Sequence, residues 1–292
     1  MKKIICFGEV LWDVFPDYKK IGGAPLNVAV RLQSLGNDVA VISKIGEDED
    51  GENITQFLKE KKVNVQYVQK DANYQTGSVS VLLDETGSAS YTIDFPRAWD
   101  HIDVSDGMRE DVQKSDALIY GSLAARNEHT KNSLSELLAV ANFKVFDVNL
   151  RAPHYSKELL KELMLEADFI KFNDEEILEI AGYLGSKYEG IEENMKFIAS
   201  ETNTSTICVT RGGDGAVLLH HHQFYDHKGY KVTVVNTVGA GDSFLASLIH
   251  GLLQGDDPNS AIDFACIVGA LVAQSEGANP ELSEEDIRSF TK

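Results

Sequence analysis

Short apolar runs broken by turn-forming residues alternate along this chain with stretches of helical periodicity. Residues 4–7 read as a buried strand ended by Gly8, and residues 10–15 as a second short extended piece. Gly22-Gly23-Ala24-Pro25 then opens a helix through Leu35, with Pro25 suited to its first turn and Gly36 to its stop. Residues 39–45 follow as a strand and 52–61 as a helix. Residues 76–95 differ: 78–83 and 88–93 flank the turn-rich Asp84-Glu85-Thr86-Gly87, which predicts a hairpin with no helix between its strands. From about residue 115 the order is strand then helix, repeated. Apolar runs at 117–120, 144–148, 169–172 and 206–210 are followed by helical stretches at 129–141, 157–166, 174–180 and 192–200, which implies a parallel sheet with helices on both faces. Residues 216–220 and 224–235 predict an antiparallel passage. Two long helices, 242–253 and 259–274, and a short one capped near Ser283 complete the chain. No repeat, low-complexity tract or linker interrupts it.

Composition narrows the class. With 292 residues, 43% of them hydrophobic and 25% charged, the chain has the profile of an ordinary globular α/β protein. Its 27 Lys and Arg against 46 Asp and Glu give a formal charge of -19, which argues against nucleic acid or an anionic membrane as partner. An anionic substrate must therefore be held by locally placed donors. Cys6, Cys208 and Cys266 lie in apolar runs without paired spacing, as buried thiols of a reducing compartment would. No run approaches a membrane span and the N-terminus does not read as a signal peptide, so a cytoplasmic location is expected.

The chemistry concentrates at Asn236-Thr237-Val238-Gly239-Ala240-Gly241-Asp242-Ser243-Phe244. Small residues at a helix start let backbone N–H groups crowd toward a ligand, and with the positive end of the helix dipole they favour a phosphate. A carboxylate in that place repels phosphate unless it takes a proton from an attacking hydroxyl, which makes Asp242 a candidate base. In open parallel sheets ligands sit beyond the carboxyl ends of the strands. There the chain places Asp13, Gly22, Gly23 and Asn27, suited to sugar hydroxyls, then Asp147 to Arg151, Lys171 to Glu176, and Thr210 to Gly215, suited to a nucleotide and a divalent metal. Plainer readings stand beside these. Gly22-Gly23 also makes an ordinary turn, Asn173 with Glu176 spells a capping box, and Arg151 fits a surface ion pair as well as a phosphate clamp. His220-His221-His222 on a strand would point to alternate faces and not converge on a metal.

Two segments, Gly22-Gly23-Ala24-Pro25-Leu26-Asn27-Val28-Ala29 and Asn236 to Phe244, in this order and some 210 residues apart, resemble the signatures of the ribokinase-like (PfkB) carbohydrate kinases. Asp147-Val148-Asn149-Leu150-Arg151, Asn173 to Glu176 and Thr210 to Gly215 extend the resemblance over nearly the whole chain. Gly8-Glu9-Val10-Leu11-Trp12-Asp13 and Asn149-Leu150-Arg151 look most like bacterial fructokinases. The resemblance implies one three-layer α/β/α domain over 1–292, with a mostly parallel sheet and a small β-sheet lid from about 10–22 and 76–100. It implies Asp242 as base toward the γ-phosphate of ATP, Gly239, Ala240 and Gly241 as an anion hole, and Arg151 near the sugar or the transferred phosphate. Asp13, Gly22, Gly23 and Asn27 would hold the sugar. Phe95, Arg97 and Trp99 would shape its pocket or pack the lid. Asn173, Thr210, Gly212 and Gly215 would border the nucleotide, and Glu176 would reach Mg²⁺ through water. Asn236 and Val238 are candidate ligands for a monovalent cation such as K⁺, although many relatives carry Asp where this chain has Asn236. Family lids often pair in homodimers.

The reading is thus a kinase that uses ATP and Mg²⁺ to phosphorylate a sugar primary hydroxyl, with fructose the first choice. Ribose, adenosine and 2-keto-3-deoxygluconate are alternatives. A non-catalytic sensor would be expected to lose the base or the anion hole, and a dinucleotide oxidoreductase would need a Gly-x-Gly-x-x-Gly turn after the first strand, which is missing.

Overall fold

A computed structural model describes residues 1–83 and 89–290. The first strand, β1 (Lys3–Phe7), lies centrally in a nine-stranded sheet. The chain then leaves this sheet to form β2 (Leu11–Val14) and β3 (Lys19–Gly22), and returns through α1 (Ala24–Ser34), β4 (Asp38–Gly46), α2 (Glu49–Glu60) and β5 (Asn64–Asp71). A second excursion makes β6 (Gly77–Leu83) and β7 (Ala89–Ile93). β2, β3, β6 and β7 form a separate four-stranded sheet in the order β3-β2-β6-β7, in which β6 and β7 are the expected hairpin. The turn expected at Asp84 to Gly87 lies outside the described residues.

The rest of the chain alternates as the pattern predicts: α3 (Asp106–Lys114), β8 (Ala117–Gly121), α4 (Glu128–Leu138), β9 (Lys144–Asp147), α5 (Lys157–Leu165), β10 (Phe169–Asn173), α6 (Asp174–Leu184), α7 (Ile191–Thr202) and β11 (Thr206–Thr210). The antiparallel β12 (Ala216–His220) and β13 (Gln223–His227) follow, then α8 (Ala240–Gln254), α9 (Pro258–Ala273) and α10 (Glu284–Ser289). The large sheet runs β13-β12-β11-β10-β9-β8-β1-β4-β5 and is parallel from β11 to β5. Successive side chains of a strand face opposite layers. Ile5, Phe7, Leu118, Tyr120 and Phe172 therefore pack with α3 to α7, while Ile4, Cys6, Val145, Phe169 and Cys208 pack with α1, α2, α8 and α9. The result is an α/β/α sandwich. All three cysteines are buried free thiols.

Some boundaries differ from the sequence reading. The helix expected at 52–61 begins at Glu49, because the Asp48 carboxylate accepts the Gly51 N–H and caps it earlier. The strand expected over 224–235 stops at His227. Beyond it, Val235 and Asn236 donate their N–H groups to the Ala273 carbonyl at the end of α9, not to a sheet neighbour, and Val234 and Val235 are exposed. His221 and His222 are not strand residues but turn residues with positive φ. β3, β5 and α3 carry weak apolar patterns, Lys-Lys-Ile-Gly in β3 being an example, and were not legible from periodicity.

Candidate active site

The turn before α8 is built by its own side chains. Asn236 Oδ1 accepts the Val238 N–H at 2.9 Å and the Thr237 carbonyl accepts the Ala240 N–H at 3.2 Å. Gly239 has φ of 80°, and a Cβ there would lie 2.5–2.7 Å from Ala278, so the turn and the loop at 277–280 are pressed together. The first intrahelical bond is Ser243 N–H to the Gly239 carbonyl at 2.9 Å. Among the described residues, the N–H groups of Gly239, Gly241 and Asp242 make no backbone hydrogen bond and are open to an anion, whereas the Ala240 N–H is turned back into the loop.

A second positive element lies below. Phe169, Lys171 and Asn173 share the β10 face that meets α8, and Lys171 Nζ sits 3.8 Å from where a Gly241 side chain would begin. Its ammonium is 2.8 Å from Asp147 Oδ1, at the end of the neighbouring β9, and both side chains are under 10% exposed. Burial alone would push the lysine toward neutrality, but Asp147, Glu176 and Asp242 outweigh it and hold its pKa above the ordinary value. Asp147 Oδ2 is buried with no partner. A fixed cation and an unused acceptor under a helix N-terminus suit a phosphate and its hydrated cation.

Asp242, in the first turn of α8, is partly buried. Burial raises its pKa to about 6, helped by Asp147 and opposed by a hydrogen bond from Asn27 and the charges of Lys171 and Arg151. Asn27 Nδ2 donates to Asp242 Oδ2 at 2.8 Å. Asn27 is held there by α1, whose start is fixed by Gly23: a Cβ on Gly23 would meet the Glu9 carbonyl oxygen at 2.5 Å. The Glu9 carboxyl is itself buried, which pushes it up to about 7 against the pull of Arg151. Asp13 on β2 is raised by burial and lowered by Arg151, and its carboxylate lies over Gly22, 2.6 Å from a Cβ placed there. Arg151, an exposed side chain after β9, thus exerts its charge on Glu9, Asp13 and Asp242 together.

The register aligns the nucleotide candidates. Asn173 pairs with Thr210 across β10 and β11. Asn173 caps α6 in a full capping box, its Oδ1 accepting the Glu176 N–H while Glu176 Oε2 accepts the Asn173 N–H. Glu176 Oε1 also accepts the Leu150 N–H at 2.8 Å, so this carboxylate ties the loop before Arg151 to the start of α6. Its pKa is raised by burial despite Lys171. Gly212 lies in the turn after Thr210, and Gly215 is closed over by the backbone at 227–229. Phe95 and Arg97 sit differently. Arg97 bonds Asp94 at 2.6 Å and Gln75 at 2.5 Å, while Phe95 lies beneath the Arg126 guanidinium and lines a separate cavity of about 450 Å³ with His154 and Tyr155. Trp99 is fully buried packing.

The structure therefore gathers Asp13, Gly22, Gly23, Asn27, Arg151, Gly239 to Asp242 and, below them, Asp147 and Lys171. The last two had stood only as strand-end residues. The signal for Lys171 was a lysine inside an apolar strand, which folds only with a buried acid opposite. Glu9 stood only as part of the Gly8 to Asp13 segment, and Asn279, whose Nδ2 donates to Asn27 Oδ1 at 2.7 Å, stood only in a loop whose carbonyls the family resemblance linked to a monovalent cation; their side-chain roles were missed because their neighbours come from distant segments.

Residues 1–285 match the family model of the pfkB family carbohydrate kinases. The chain is 28% identical over 297 residues to a fructokinase of Escherichia coli, covering 94% of each. It superposes with a TM-score of 0.87 on a double mutant of Vibrio cholerae O395 fructokinase, solved with fructose, ADP and potassium ion, at 26% identity over 100% of this chain and 99% of that one. A sugar kinase of Pyrococcus horikoshii solved with ATP gives 0.83 at 26% identity, covering 98% and 99% of the two chains. No helix among the described residues is long and apolar enough to cross a membrane.

Proposed function

This chain belongs to the pfkB family of carbohydrate kinases, and from that premise we propose that it transfers the γ-phosphate of ATP to a primary hydroxyl of fructose, giving fructose 6-phosphate. The observation that carries this reading is the Asp242 carboxyl, raised to about 6 and oriented by Asn27 at the mouth of a helix N-terminus. A carboxylate with that pKa is ionised at neutral pH yet basic enough to accept a hydroxyl proton as the oxygen attacks. The N–H groups of Gly241 and Asp242, with Lys171 behind them, stabilise the charge on the phosphoryl oxygens during transfer. Asp13, Gly23 and Asn27 orient the sugar, and Arg151 offsets the three acids around it.

Mg²⁺ supplies charge neutralisation of the phosphates. Glu176, already engaged by two backbone N–H groups, and the unpartnered Asp147 Oδ2 suit its water ligands. K⁺, present with the Vibrio cholerae enzyme, is the proposed activator near Asn236 and Val238. Its effect is expected to be weak, since Asn236 is uncharged and Oδ1 serves the Val238 N–H. The four-stranded sheet is proposed as the lid, and its outer strands β3 and β7 leave edges through which two lids would pair.

The test is phosphate transfer from ATP with Mg²⁺ to fructose, tagatose, ribose, adenosine and 2-keto-3-deoxygluconate, with the phosphorylated position assigned by NMR. Highest kcat/KM with fructose, lost by about 10²- to 10⁴-fold in Asp242→Ala, is expected. Transfer to none of these acceptors, or full turnover in Asp242→Ala, would refute the proposal.

A further inference from the structure

The Asn27 amide that bonds Asp242 is itself held from the far side. Asn279 Nδ2 donates to Asn27 Oδ1 at 2.7 Å. An ionised carboxylate only accepts, so Asn27 must turn its NH₂ to Asp242 and its oxygen away, and that oxygen must meet a donor. Asn279 is the donor. Its own Oδ1 is buried with no partner, so the bond to Asn27 is the side chain's only one among the described residues. Both ends of the relay are braced: Arg31, a buried residue in the last turn of α1, donates from Nε to Ser243 Oγ at 3.2 Å and from Nη2 to the Pro280 carbonyl at 2.9 Å. These are the residues immediately after Asp242 and Asn279.

We infer that Asn279 is a positioning residue for the phosphoryl transfer, fixing the orientation of the Asn27 amide so that a donor always faces the base. Without it the amide is free to invert, which sets an oxygen against the Asp242 carboxylate. The other charged groups facing Asp242 are Asp147, Lys171, Arg151 and Glu9. They remain when Asn279 is changed, so the acid limb of the pH profile isolates the relay. The inference rests on the reading of Asp242 as base.

The experiment is the pH dependence of kcat/KM for Asn279→Leu, Asn279→Asp and Asn279→Gln beside the parent and Asp242→Ala, with melting temperatures to establish folding. Leu keeps the volume and removes the donor; its acid limb is expected to move up by about one pH unit, lowering kcat/KM about fivefold at pH 6 and by less than twofold at pH 9, with KM for ATP unchanged. Asp, which also places a carboxylate against Asn27, should move the limb further, and Gln, which keeps an amide, should restore part of it. A pH-independent loss, or limbs superimposable on the parent, overturns the inference while leaving the base intact. Full turnover in Asp242→Ala overturns both.

Discussion

Replacing Asp242 by Asn should make the protein more stable as it makes it inactive. Folding moves this carboxyl from 3.8 to about 6. At about 1.4 kcal/mol per pH unit, about 3 kcal/mol of stability is withheld once the group is ionised in both states. Partial contact with water screens the charge, so about 1.5–3 kcal/mol is the working figure. The sign follows from the direction of the shift. Because the folded pKa is the higher one, the group's favourable contribution is complete below about 3.8 and is lost as pH rises toward 6. Asn never ionises, and it still offers an oxygen to Asn27. At pH 8 the variant should melt about 3–6 °C above the parent, and the gain should shrink several-fold by pH 4, while turnover falls by about 10²- to 10⁴-fold. Differential scanning fluorimetry between pH 4 and 8 measures this. Equal melting points at pH 8, or the same gain at pH 4, would show that Asp242 is not held at an electrostatic cost.

Three further substitutions probe other parts of the site. Gly239→Ala, with φ of 80° and Ala278 in the way, should lose about 2–4 kcal/mol in urea unfolding together with most of kcat; unchanged values would mean that the turn and the 277–280 loop are not pressed together. Lys171→Met strands the buried Asp147 and should destabilise by about 3–5 kcal/mol, part of which Asp147→Leu in the same chain should recover, as read by thermal melts. Asn236→Asp should increase activation by K⁺ over choline controls in steady-state kinetics, and no change would remove residue 236 from the proposed cation site.

Much of this was legible in the sequence because it depends on local rules. The β10 to α6 junction follows from Asn173 and Glu176 spelling a capping box, and the start of α1 from Gly23 and Pro25. The strand-end rule points to Asp13, Asn27 and Asp147 at one edge of the sheet, and the small-residue turn at 236–244 points to Asp242. What was missed depends on pairs far apart in the chain. Lys171 acquires its meaning only from Asp147 and Gly241, and Asn279 only from Asn27, 252 positions earlier. Ala240 shows the opposite limit of motif reading: its place suggests an anion donor, while its N–H here goes to the Thr237 carbonyl within the turn. The strand expected to reach Val235 failed because apolar character alone does not supply a neighbouring ladder.

The four-stranded sheet has neither chain terminus within it. The backbone crosses to and from it four times, at 7–11, 22–24, 71–77 and 93–98. Any displacement of this sheet must be taken up at those crossings, and the first two contain Glu9 and Gly23, which touch backbone to backbone. Such a sheet cannot swing as a free flap on one strap. Its movement and the reshaping of the Glu9 and Gly23 end of the site are mechanically one event, so a disulfide that locked the sheet in place would also set the geometry offered to the proposed sugar.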